Sequence, residues 1–243
     1  MRAAVHDRSR VVRVDRGERA AYAVAGVVTS LAGALGRRRT HAVSKAALMP
    51  LLQVGLVRDR RQFSPQGLGA LLGATGAAWV GDLVLIAPEG GESDEASRRR
   101  LRKGAAAFAV QQLIYAGMLV QAGARPRPRS TAVIAGTLLG LAALDTAKES
   151  RPDPVVTAYG VLLGTTGALA LGMPRSAGDL AIGRIPWGGA SFVASDAMIL
   201  LGEQVLTGRA AQTGHGFVLA TYALAQRWLV DGLAATARLK PVE

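Results

Sequence analysis

Lys45, Asp82, Asp196 and Glu203 share one feature: each is ionisable and lies inside an otherwise apolar run. Asp82 follows Gly81 in Trp79-Val80-Gly81-Asp82-Leu83-Val84, and Asp196 follows Ser195 in the nearly uncharged stretch 188–201. Two carboxyl groups in unequal surroundings can divide into a proton donor and a base, which is general acid/base chemistry. Asp196 is expected to be the more deeply buried and hence the acid, with Asp82 the base. The opposite division is also open. Lys45 is the candidate cation for tuning them, and Gly81 leaves room for a helix or ligand to approach Asp82. For either aspartate alone the plainer reading is a hydrogen-bonded structural acid. Glu203 lies seven residues after Asp196, two turns along the same helical face. It either extends a polar path or marks an interfacial helix end. Arg227 and Asp231, four apart, neutralise each other. Gln111, Gln112 and Tyr115 form a polar patch, to which Tyr159, Tyr222 and Gln226 add hydrogen-bonding groups.

Other chemistries lack their residues. No Gly-x-Ser-x-Gly elbow offers a hydrolase serine, and no glycine motif cradles phosphate. His6, His41 and His215 are the three histidines, with no pair at helical ligand spacing, so no metal site is expected. Cys is absent, which removes disulfides and thiolate chemistry. The formal net charge of +12 comes from arginines set between apolar blocks, with only 5% aromatic residues, a pattern unlike a nucleic-acid surface. The remaining chemistry requires no cofactor.

The elements that must position these groups are membrane helices. Half of the residues are hydrophobic, and they are gathered into blocks approaching the ~20 residues that a spanning helix needs. Eight spans are expected, at about 20–35, 42–57, 66–87, 104–123, 130–148, 154–173, 187–206 and 215–235. Arg37–Arg39, Arg58–Arg61, the acidic-then-basic segment 89–103 and Arg125–Arg129 mark surface turns. The first two spans are short and bounded by arginine clusters, so they either extend into the interface or form a tight helical hairpin. Residues 1–19 read as a basic N-terminal arm, 20–236 as a single eight-helix transmembrane domain, and 237–243 as a tail. Basic residues are more numerous on the side of the termini, which places both of them on the cytoplasmic side of an inner membrane. Gly69/Gly73, Gly136/Gly140 and Gly160/Gly164 are expected to allow close helix packing within the chain, or to form the face of a homodimer.

Taken in order, Ser44-Lys45 with Leu48 and Pro50, Gly81-Asp82, Phe108 with Gln112 and Tyr115, Gly189-Ala190 through Phe192 to Ser195-Asp196, and Tyr222 to Gln226 resemble the YhhN family of lysoplasmalogenase-like membrane proteins. The resemblance covers about residues 20–235. It implies an eight-span integral membrane protein in which Lys45, Asp82 and Asp196 occupy recurrent polar positions and the two aspartates are catalytic. Two positions depart from the family pattern: Lys45 is followed by Ala46 where the family has proline, and Gln112 stands where histidine is common.

The implied reaction is hydrolysis of the vinyl-ether bond of a lysolipid to a fatty aldehyde and a glycerophospho-headgroup. It proceeds by protonation of the β-carbon, stabilisation of an oxocarbenium-like state and capture by water, which suits two carboxyl groups. Lys45 either holds Asp82 ionised or binds the lipid phosphate. Gln112, Tyr115, Ser195, Glu203, Tyr222 and Gln226 are the further candidates for binding substrate or tuning charge. The alternative is a transporter or lipid-binding protein that uses the same buried charges.

Overall fold

The computed structural model describes residues 16–86, 93–146, 153–174 and 179–239. Among these are eight α-helices: α1 (Arg16–Ala34), α2 (Arg38–Arg58), α3 (Pro65–Leu85), α4 (Asp94–Gln121), α5 (Pro128–Thr146), α6 (Pro154–Leu171), α7 (Ile185–Val205) and α8 (Gly208–Thr236). Three of them, α3, α4 and α6, are long and apolar enough to cross a membrane by length and composition.

Local chemistry sets the boundaries. Ser64 caps α3 by accepting from Gly67 N at 3.1 Å, with Pro65 in the first turn, where its missing N–H costs nothing. Asp153 caps α6 in the same way through Val155 N and Val156 N, ahead of Pro154. The hairpin between α1 and α2 forms as expected; Gly36 turns the chain at a φ of 64°, in the left-handed region that favours glycine.

Two helices start two turns or more before the point that hydropathy implies. The sequence places 89–103 in a surface turn, but helix α4 begins at Asp94, capped by Ser93, with Asp94 and Glu95 in its first turn. Acids there favour the positive end of the helix dipole, and the arginines that follow can remain helical in a solvated turn. Hydropathy reports only the apolar part of such a helix. For the same reason α8 begins at Gly208, before the apolar run at 215–235.

Packing follows a closed circuit in which α1, α2, α3, α4, α6, α7 and α8 each touch the next and α8 returns to α1. Helix α8 also reaches α2, α3 and α4, so it leans into the centre, whereas α5, among the described residues, packs mainly on α6 and α7. The polarity fits that of a membrane protein. Val24, Val27 and Leu31 of α1, Val133 and Leu139 of α5 and Val161 of α6 point outward, while Thr75, Asp82, Gln111, Gln112, Thr166 and Gln226 are buried. The start of α1 and the end of α8 lie at one end of the bundle: Glu18 pairs with Arg58, and Ser64 N donates to Ala237 O.

The expectation that these glycines pack closely within the chain needs correction. Gly69, Gly136, Gly140 and Gly160 face open space, and Gly73 makes only an ordinary contact; of the three pairs, Gly164 alone is tightly packed, against Leu138 of α5. Four-residue spacing fixes a common face but not the direction in which it points. Close backbone approaches occur elsewhere, as at Gly216 against Ser30 O and Gly172 against the backbone of Arg125. Gly172→Ala is therefore expected to cost about 1–3 kcal/mol, several degrees in thermal unfolding of the detergent-solubilised protein. Gly136→Ala should leave the midpoint unchanged or higher, since no neighbour obstructs a Cβ there.

Candidate functional site

Asp82 sits on α3, three residues before its end, and is completely buried. Three neighbouring helices serve it. Lys45 of α2 brings Nζ to 3.3 Å from Oδ1, and the Tyr222 hydroxyl of α8 donates to Oδ2 at 2.7 Å. Phe108 of α4 lies against Gly81, where any Cβ would collide with its ring, so that glycine lets α4 close over the acid. Lys45 also stands 5.8 Å from the centroid of Tyr222, within cation–π range.

Asp196 of α7 has a different setting. It receives a hydrogen bond from the Tyr159 hydroxyl of α6 and keeps some accessible surface. The expectation that Asp196 is the more deeply buried acid is thus reversed. Asp82 points into the centre of the helix circuit, where α8 covers it, whereas Asp196 borders an open space between helices.

That space is a cavity of about 180 Å³ lined by both aspartates, Lys45, Tyr159, Ser195 and Tyr222. The remaining lining is largely apolar and includes Leu85, Leu101, Leu138, Val156, Leu163 and Ile199. Leu85 ends α3, Leu101 lies in the first third of α4 and Val156 in the first turn of α6, so the cavity extends towards the end of the bundle opposite Glu18 and Ala237. Next to the lining residue Leu101, Arg102 of α4 pairs with Asp153, the residue that caps α6. Phe108, Phe192 and Tyr222 meet at the inner side, with ring centroids 6.0 and 5.8 Å apart and nearly perpendicular planes.

Of the residues singled out from the sequence, Lys45, Asp82, Asp196, Ser195 and Tyr222 meet at this cavity. The Ser195 hydroxyl donates to Val218 O at 3.0 Å and ties α7 to α8. Gln112, Tyr115 and Gln226 are fully buried but do not line the cavity. Gln226 bonds instead to Gln111 at 2.6 and 3.2 Å, and accepts from the Tyr115 hydroxyl at 3.1 Å. The side chain of Glu203 lies outside the described residues. Arg227 and Asp231 pair at 2.7 Å, as their spacing implies.

Tyr159 is the site residue that sequence reasoning undervalued. Its signal was a hydroxyl within an uncharged span, which needs an acceptor when buried. The structure also brings together two histidines that the sequence treats separately: the rings of His41 and His215 lie 5.4 Å apart, with Thr29 Oγ1 3.0 Å from His41 Nδ1.

The model of the YhhN family matches residues 40–233. The chain belongs to the YhhN family. The YhhN match takes in all the polar residues that line the cavity, while α1 lies before it. The all-helical architecture and apolar helices of this YhhN protein fit a membrane protein. No curated protein and no solved structure matches the chain.

Removing one partner of a buried ion pair leaves the other charge uncompensated, at a cost of about 3–5 kcal/mol. Lys45→Met should destabilise the protein by that order in thermal or denaturant unfolding, and adding Asp82→Asn should recover most of the loss. No recovery in the double variant would show that the two side chains are not energetically coupled.

Proposed function

We propose that this protein hydrolyses the vinyl-ether bond of a lysoplasmalogen-type lysolipid, in keeping with the lysoplasmalogenase-like activity that YhhN membership suggests at the level of the family. The observation that carries the reading is the meeting of two unequally served carboxyl groups in one largely apolar cavity. Asp82 has a cation and a hydroxyl donor, a setting for the carboxylate that stabilises positive charge and accepts a proton. Asp196 has a hydroxyl donor and faces the cavity, a setting for the acid that delivers one. The assignment therefore rests on the placement of Lys45, not on depth of burial.

In the reaction, Asp196 protonates the β-carbon of the enol ether, and the resulting oxocarbenium ion lies against the Asp82 carboxylate. Water adds to the cationic carbon and gives its proton to Asp82, forming a hemiacetal. Collapse of the hemiacetal resets both groups: Asp82 protonates the departing ether oxygen while Asp196 takes the hydroxyl proton. The products are a fatty aldehyde and the glycerophospho-headgroup alcohol.

A cavity of about 180 Å³ is smaller than the ~300–1,000 Å³ typical of small-molecule pockets. It suits the ether segment of the lipid, with the alkyl chain extending along apolar helix faces and the headgroup towards the Arg102–Asp153 pair. Leu101 and Ile199, both exposed and both lining the cavity, mark apolar surface continuous with its interior.

Purified protein in detergent, given a vinyl-ether lysolipid, should release fatty aldehyde. Asp196→Asn and Asp82→Asn should each lower kcat by about 10²–10⁴, the usual worth of a general acid or base. Equal release from wild type and from the double Asn variant would sink the catalytic assignment.

A further inference from the structure

One turn beyond Phe108 on α4 and Tyr222 on α8 lies a polar layer, Gln111, Gln112 and Gln226, that the carboxylate chemistry leaves unused. One helical turn past Phe108 on α4, Gln112 is 0% exposed, and its backbone oxygen accepts from Thr166 of α6 at 3.2 Å. Neither Oε1 nor Nε2 of its side chain has a hydrogen-bond partner among the described residues. Its neighbour Gln111 is fully engaged with Gln226 in the same layer, so the layer is not simply short of partners. A buried amide without partners costs about 1–3 kcal/mol, and buried polar groups in that position are ordinarily satisfied by internal water.

The proposed reaction consumes a water molecule, yet its cavity is mostly apolar and would be filled by the ether segment of the lipid. Water arriving from the rim would have to pass the substrate. A store on the inner side removes that conflict. We propose that Gln112 holds an internal water behind the wall formed by Phe108, Phe192 and Tyr222, and that this is the water that captures the oxocarbenium ion. The second half rests on the vinyl-ether reading; the first does not. The amide can donate to the water oxygen through Nε2 and accept one of its hydrogens through Oε1. The water oxygen then bonds to the cationic carbon as its other proton passes to Asp82. Gln112 is a water-positioning residue in this scheme.

Hydroxyl-radical footprinting by X-ray pulse, on the full chain in detergent, tests the store without reference to activity, because radicals born from bound water oxidise the side chains beside it. Tyr115, three residues from Gln112 and 0% exposed, should be labelled several-fold faster than Tyr22, which is 4% exposed and hydrogen-bonded to Ala223 O. Gln112→Leu should bring Tyr115 down to the rate of Tyr22, and Gln112→Asn, which keeps the amide, should retain part of the difference. Labelling of Tyr115 no faster than Tyr22 in wild type overturns the store, whether or not any variant folds.

For the role in hydrolysis, Gln112→Leu should lower kcat by at least about tenfold with KM unchanged. In a fixed proportion of methanol it should also divert more product from aldehyde to the mixed methyl acetal, formed by addition of methanol across the enol ether. A raised KM with unaltered kcat and partition would place Gln112 against the substrate and overturn the water role. Absence of aldehyde from the wild type would remove the hydrolytic reading while footprinting still decides the store.

Discussion

A carboxylate with no access to solvent is the constraint around which this bundle is assembled. In a low-dielectric interior Asp82 is tolerable only if cations and donors surround it, and no single helix can supply them. Lys45 must come from α2 and Tyr222 from α8, while Gly81 must lack a side chain so that Phe108 can seal the remaining side. Those requirements bring α2, α3, α4 and α8 to one point. The central lean of α8 follows from the same need, since Tyr222 and Gln226 on one of its faces serve two polar clusters on different neighbours.

Asp196 is governed by the same physics with fewer resources. A tyrosine hydroxyl is its direct partner, and the cavity supplies the space that protein atoms would otherwise fill. The two acids are therefore chemically distinct although their residue type is the same. A site of this kind needs no special backbone; it needs helices whose inward faces carry different partners.

Much of this was legible in the chain itself. Ionisable residues in apolar runs are costly, so Lys45, Asp82 and Asp196 announced themselves as a set, and apolar blocks separated by arginine clusters marked the helices. The depth of the two acids was not legible. Helices α3 and α7 are apolar nearly all round, so no periodic pattern says which face turns inward, and burial must be settled by neighbours remote in sequence. The role of the glycines was hidden for the same reason: Gly160 and Gly164 share a face, yet only Gly164 meets another helix. Contact between His41 and His215 is a product of the α2 and α8 packing, which local spacing cannot encode.

The cavity is placed asymmetrically along the helices. Its lining includes the last residue of α3 and early residues of α4 and α6, and it lies away from the end where Glu18 meets Arg58. A bilayer presents two separate populations of lipid, which exchange slowly because a headgroup must cross the hydrocarbon. Under the proposed hydrolysis, chemistry that opens towards one end draws on one population and returns its products there. Its turnover would thus make the two faces of the membrane differ in composition, a directional effect obtained without any transport step.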